Sequence, residues 1–337
     1  MMRTPPYLLG QENQLERQYQ QLILPYWQQY AELSSFSGVN DLRIHFAKLN
    51  AAQPKHQAIV ISPGRTEGYL KYYELGYDLA QQGYDIFIID HRGQGLSDRE
   101  SPRRQLGDVE NFQYFVDDLQ QLVQQFVLPC QYQQHFLLAH SMGGTIAARY
   151  LQQHPNHFQA VALSAPMFGI NLGLLPKPIV KTLAAGLAHL ERQFGYGPHY
   201  ALGQGDYRPS EFSRNHLSHS PARYQQILQT YVEHPAIQLG GPSNRWLQQS
   251  FQAMQLSIED AAHINIPLLL LQAEQDPIVT AEGQNAFFHR LTASAGKSSN
   301  AQLMPVIGAK HEIFFESDEI RNPALASILI FFEQHRA

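Results

Sequence analysis

Three residues far apart in the chain carry side chains that together could split an ester. Ser141 stands in LLAHSMGG (137–144), between an apolar run and two glycines; Asp276 follows PLLLLQ, in AEQDPIV; His311 follows AQLMPVI, in GAKHEIFFE. A serine hydroxyl is a weak nucleophile at neutral pH. It needs a base to take its proton, and the base needs an acid to orient it. The chain order Ser, Asp, His, each after a strand-like run, is one arrangement that meets this need. The chain holds 16 histidines, so type alone selects none. His311 is singled out by following the last strand-like run. Glu274 rivals Asp276 for the acid, and Asp276 is favoured because Asp-Pro opens the turn into the next helix.

The setting of Ser141 is that of a nucleophile elbow, usually written G-x-S-x-G. The turn strains the serine backbone and lifts its hydroxyl off the end of the sheet. Small neighbours let strand and helix approach; here they are Ala139 and Gly143. The plain alternative for such a serine is a helix N-cap. A tetrahedral intermediate also needs donors for its oxyanion. The backbone N–H of Met142, next to the serine, is one candidate. The N–H of Arg65, after Pro63–Gly64 in SPGRTEGYLKYYEL, is the other. Asp90–Ser97 reads DHRGQGLS, and its two glycines lack the third that a dinucleotide site requires. This loop is expected to brace the site, with Asp90 and Arg92 paired or hydrogen-bonded.

These residues need elements to hold them. Short runs rich in β-formers lie at 58–62, 86–90, 136–140, 160–164, 267–272 and 301–307. A hairpin is expected around 34–37 and 42–48. Helical patterns lie between the runs. In 108–127 apolar residues fall at Phe112, Phe115, Leu119, Leu122 and Phe126, one stripe of a helix. A helix is expected over 11–24, stopping before Pro25. Another is expected to open at Asn322–Pro323. Strands alternating with helices predict an α/β fold, a mostly parallel central sheet with helices on both faces. The alternation fails once, over 166–258. That stretch holds helical pieces (223–232, 245–254) among proline and glycine clusters, and it is too long for an ordinary loop. It predicts a helical cap inserted into a core of 1–165 and 259–337.

The chain has 337 residues, 44% hydrophobic and 16% charged, with net charge −5. A sizeable core is therefore expected, and nucleic acid is not an expected partner. A single cysteine, Cys130, excludes an internal disulfide; its ordinary reading is a small residue in the turn before a strand. The apolar part of the N-terminus, Tyr7–Leu9, is too short for a signal peptide. No run is long and apolar enough to span a membrane. His154 and His157 flank a proline without partner ligands, so neither metal nor cofactor is expected.

Four pieces, PGRTEG, DHRGQGLS, AHSMGG and GAKHEI, resemble the serine α/β-hydrolases grouped with monoglyceride lipases, and their order spans the whole core. PMFGI (166–170), NHLSHSPARY (215–224), QLGGPSNRW (238–246) and HEIFFESDEIR (from His311) resemble something narrower, the bacterial lysophospholipases of the L-two type. Pro63 stands where the oxyanion loop usually has histidine, and Ala139 where the elbow usually has glycine. The resemblance implies the α/β-hydrolase fold with catalytic Ser141, Asp276 and His311. It implies hydrolysis of the single acyl ester of a lysophospholipid, acyl transfer to another lipid, and loose attachment to the cytoplasmic face of the inner membrane. The apolar segment 170–187, with Lys177 and Lys181, is a candidate membrane contact; packing of its apolar face onto the core is the alternative. Arg65, Arg223 and Arg245 are candidates for a head-group phosphate. Two other readings stand beside this one: a monoacylglycerol lipase or general carboxylesterase, and a non-catalytic hydrolase-fold binding protein. The latter usually lacks a triad position, and here all three are filled.

Overall fold

The computed structural model describes residues 7–154, 157–173, 176–293 and 300–336. Eight strands form one sheet among them: β1 (Ala31–Ser37), β2 (Arg43–Leu49), β3 (Gln57–Ser62), β4 (Tyr84–Ile89), β5 (Gln134–His140), β6 (Ala160–Ser164), β7 (Leu268–Ala273) and β8 (Ala301–Val306). Their order is β1-β2-β4-β3-β5-β6-β7-β8. The first two form an antiparallel hairpin, and β2 runs antiparallel to β4. From β4 to β8 every neighbouring pair is parallel. The hairpin begins three residues earlier than the sequence suggests, because Ala31 pairs with Leu49.

Every residue of β3, β4, β5 and β6 is buried. Successive side chains of a strand point to opposite faces, so both faces of the central sheet are covered. This is why the middles of those strands read as apolar runs. Strand β8 lies at the edge and is half exposed, so it accommodates Pro305, which cannot donate to a ladder.

The helix Gln113–Leu122 buries Phe115, Leu119 and Leu122, then widens into a π turn over Val123–Val127. A π turn also changes the N-terminal segment. The Leu24 N–H bonds to the Tyr19 carbonyl, five residues back, and the helix continues through Pro25 to Tyr30. The expected stop at Pro25 is therefore wrong: the wide turn shifts the bonding register just before the proline. The last helix starts at Asp318, not Asn322, and contains Pro323. The added turn is anchored by buried Arg321, which donates to the Phe314 carbonyl and to Asp78.

Between β6 and β7 no strand occurs among the described residues. The α-helices there are Lys177–Phe194, Pro221–Glu233 and Asn244–Glu259. Ser220 and Ser243 cap the second and third by accepting from the N–H groups of Arg223 and Trp246. Cys130 is exposed at the end of a short turn before β5. Among the described residues no helix is long and apolar enough to cross a membrane, and no cluster of His, Cys, Asp or Glu could hold a metal.

Candidate active site

Parallel strands deliver their carboxyl ends to one edge of the sheet, and the loops there carry the residues of interest. Strand β5 ends at His140, and the helix Met142–Gln153 begins one residue after Ser141. Ser141 has φ 51° and ψ −118°. A non-glycine residue in such a region stores about 1–3 kcal/mol, which the surrounding packing must offset. The packing is tight. A Cβ on Gly143 would lie 2.0 Å from the Ser62 carbonyl oxygen, and one on Gly144 would lie 2.7 Å from Pro166 Cβ. The serine is thus an elbow rather than a side-chain cap, since its hydroxyl caps no helix N–H.

That hydroxyl lies 2.9 Å from His311 Nε2, and His311 Nδ1 lies 2.7 Å from Asp276 Oδ2. An ionised carboxylate only accepts, so Nδ1 carries the proton and donates. Nε2 is left to accept from Ser141. The other Asp276 oxygen accepts from the N–H groups of Ile278 (2.8 Å) and Val279 (3.0 Å), which fixes the carboxylate plane. Glu274, the rival acid, is exposed and accepts instead from the Gly308 N–H at 2.8 Å. Its role is to close the turn before His311.

Among the described residues, the N–H groups of Arg65 and Met142 donate no hydrogen bond within the protein. The loop bearing Arg65 is held from below. Gln94 donates to the carbonyls of Gly64 (2.6 Å) and Glu67 (2.8 Å). Asp90 accepts from the N–H groups of Tyr69 and Leu96. The DHRGQGLS segment therefore does brace the site, but not through an Asp90–Arg92 pair. Arg92 binds Asp118 and Glu100, while burial lifts the Asp90 carboxyl to about 7.

A charged network missed by the sequence reading lies beside the triad. Lys71 Nζ bonds Glu67 at 2.6 Å and Glu312 at 2.7 Å, and the Tyr72 hydroxyl donates to Glu67 at 2.7 Å. Burial opposes ionisation of Glu67 most strongly, yet the Lys71 ammonium and the other neighbouring groups, the Tyr72 hydroxyl among them, together outweigh it and hold the carboxyl far below its usual range. The i,i+4 pair in EGYLK was the available signal. His140 sits with its ring 4.9 Å from that of His311. Burial lowers its pKa to about 4, so it stays neutral and does not repel a proton arriving on His311.

Above the serine is a cavity of about 580 Å³. Its lining includes Arg65, Ser141 and His311, and also Ile170, Leu172, Val180, Trp246 and Leu247 from the stretch between β6 and β7. A second cavity of about 270 Å³, lined by Phe168, Phe251, Met254 and Ile258, shares Ile170 with it. Two of the three candidate arginines are occupied elsewhere. Arg223 is buried against Glu74 and Asp318, and Arg245 forks onto Asp108.

Fold and site define an α/β-hydrolase with a serine elbow. Residues 53–318 match the family described as serine aminopeptidase, S33, and the chain belongs to it. Lysophospholipase L2 of Escherichia coli (strain K12) is 39% identical over 315 residues, covering 94% of this chain and 91% of that protein. Probable lysophospholipase L2 of Haemophilus influenzae is 34% identical, covering 91% and 93%. Among solved structures, monoacylglycerol lipase of Paleococcus ferrophilus superposes with TM-score 0.67 at 22% identity, covering 87% of this chain and 99% of that one. This last likeness concerns the fold.

Proposed function

We propose that this chain is a lysophospholipase, a carboxylic ester hydrolase that removes the one fatty-acyl chain of a lysophospholipid through an acyl-enzyme on Ser141. The observation that carries the reading is the hydrogen-bonded line from Ser141 through His311 to Asp276, opening on a cavity with apolar walls. The relatedness to lysophospholipases L2 supports the substrate class.

In the first half-reaction Ser141 Oγ bonds to the acyl carbon while its proton passes to His311 Nε2. Asp276 stabilises the imidazolium. The N–H groups of Arg65 and Met142 receive the oxyanion. The bond from the acyl carbon to the alcohol oxygen then breaks, and His311 returns its proton to the departing glycerophospho-alcohol. A water molecule repeats the cycle: His311 takes its proton, its oxygen attacks the acyl carbon, and Ser141 leaves with the proton restored. The fatty acid is released. Neither metal nor cofactor enters these steps.

Residues 166–258 serve as the cap over a core of 1–165 and 259–337, and bring the acyl chain to the serine. The helix Lys177–Phe194 supports a peripheral membrane contact. It turns Ile179, Leu183, Leu190 and Phe194 outward and packs inward through Ala184 and Ala188. Ile170, Leu172 and Val180 line the cavity instead, which supports the alternative expected of this segment, packing toward the core, for those three residues. Leu174 and Leu175 lie outside the described residues, as does the side chain of Lys177; Lys181 lies 5.6 Å from the Phe251 ring.

The test is fatty-acid release from lysophosphatidylethanolamine, lysophosphatidylcholine and monoacylglycerol, measured side by side. Preference for the two lysophospholipids is the expected result. Preference for monoacylglycerol would retain the chemistry and reject the substrate class. Release from none of the three would reject the enzyme reading.

A further inference from the structure

Arg65 stands apart from the other deeply placed arginines. Arg92, Arg223 and Arg321 each carry at least one carboxylate partner. Arg99 lacks one, but backbone carbonyls occupy its fork. Among the described residues, Arg65 makes one hydrogen bond through its side chain, from Nη2 to the Gly240 carbonyl at 2.5 Å. Its Nε is buried without an acceptor among the described residues. The two carboxylates that line the cavity, Glu67 and Glu312, are both held by Lys71, and no carboxylate pairs with Arg65 among the described residues. Burial without a counter-charge lowers its pKa to about 10, which leaves it cationic at neutral pH.

The seat of this guanidinium is built from three segments. Trp246 lies beneath it, with the ring centre 5.3 Å from Cζ. Gly240 supplies the carbonyl. Gly107 supplies space, because a Cβ there would lie 2.5 Å from Arg65 Nη2. The seat is clamped by backbone bonds from Gly107 N–H to the Gly241 carbonyl and from Gly240 N–H to the Gln105 carbonyl. A cation held this way over an indole, with N–H donors to spare and the cavity beside it, suits an incoming anion. Its own backbone N–H is the oxyanion donor of the proposed reaction. The guanidinium therefore lies one side-chain length from the ester carbonyl. In a lysophospholipid, the glycerol backbone separates ester from phosphate by a similar short span.

We infer that the Arg65 side chain is the head-group selector, binding the phosphodiester anion of the substrate while its backbone N–H serves the chemistry. The inference rests on the lysophospholipase reading. It makes Arg65 a specificity-determining residue whose loss costs charged substrates more than neutral ones.

The experiment compares kcat/KM for lysophosphatidylethanolamine and for monoacylglycerol of the same acyl length, in wild type, Arg65→Met and Arg65→Lys. Removing a charge-assisted hydrogen bond should cost the lysophospholipid about ten- to a hundred-fold more than the monoacylglycerol. Arg65→Lys should recover part of that ratio. In wild type, sn-glycero-3-phosphoethanolamine should compete with monoacylglycerol hydrolysis, and in Arg65→Met it should not. An equal fall on both substrates, with inhibition retained, would overturn the inference and leave Arg65 a structural residue. Wild type without preference for lysophospholipids would instead defeat the functional reading beneath it. Thermal unfolding of each variant separates loss of fold from loss of recognition.

Discussion

On the sheet side of the cavity, the acidic groups are fixed in place: Asp276 by two backbone N–H groups and His311, Glu67 and Glu312 by Lys71. On the cap side, the helix Lys177–Phe194 lines the cavity through Val180 and leaves Ile179, Leu183, Leu190 and Phe194 exposed. The sheet side accumulates strain and buried charge, both of which require rigid surroundings. The cap side holds apolar surface, which adapts to a chain of methylenes without directional bonds. On the function proposed above, chemistry belongs to the first region and access to the second. Variants can pull the two apart.

The largest expected effect is on the sheet side. Asp276→Asn replaces an acceptor with an amide that cannot hold His311 in the required tautomer, and kcat should fall about 10⁴-fold. Steady-state kinetics on any accepted ester would read this, and a smaller loss on the vesicle-bound substrate alone would blur the division. Lys71→Met leaves Glu67 and Glu312 without their shared cation. Stripping one partner from a buried pair costs about 3–5 kcal/mol, so denaturant unfolding should show a loss of that size.

A pH series sharpens the same point. The folded-state pKa of Glu67 lies below its ordinary value of 4.5. Its contribution to stability is therefore complete above pH 4.5 and is lost as pH falls toward the folded value. Glu67→Gln should lose less melting temperature than wild type across that acid interval. Equal slopes would show that the network does not depend on this ionisation. The smallest effect is on the cap. Leu183→Asp with Phe194→Asp should weaken co-sedimentation with anionic vesicles by about 1–2 kcal/mol for each residue, while hydrolysis of a short-chain soluble ester changes far less. Unaltered sedimentation would remove the membrane role from this helix.

The parts legible in the sequence were those with local causes. Predominantly apolar runs marked β3 to β7 because strands covered on both faces need little else. The meeting of Ser141, Asp276 and His311 was legible because parallel strands end on one side, so residues just after them come together. The parts that were not legible depend on distant partners. Arg92 chose Asp118 and Glu100 over Asp90, a choice made by burial and loop path. Gln94 carries no chemistry of its own, and only the fold shows it holding two carbonyls of the loop that bears Arg65. The helices that ran past Pro25 and began before Pro323 did so because a wide turn and a buried arginine outweigh the local effect of proline. Among Arg65, Arg223 and Arg245, only the three-dimensional pairing of the other two with carboxylates distinguished the first.

The central claim is that Ser141 carries the acyl group. Fatty-acid release from lysophosphatidylethanolamine by wild type and by Ser141→Ala, with folding of both checked by thermal melting, tests it most directly. Robust release by wild type and a fall of about 10⁴–10⁶-fold in the variant are expected. Wild-type turnover by a folded Ser141→Ala protein would contradict it.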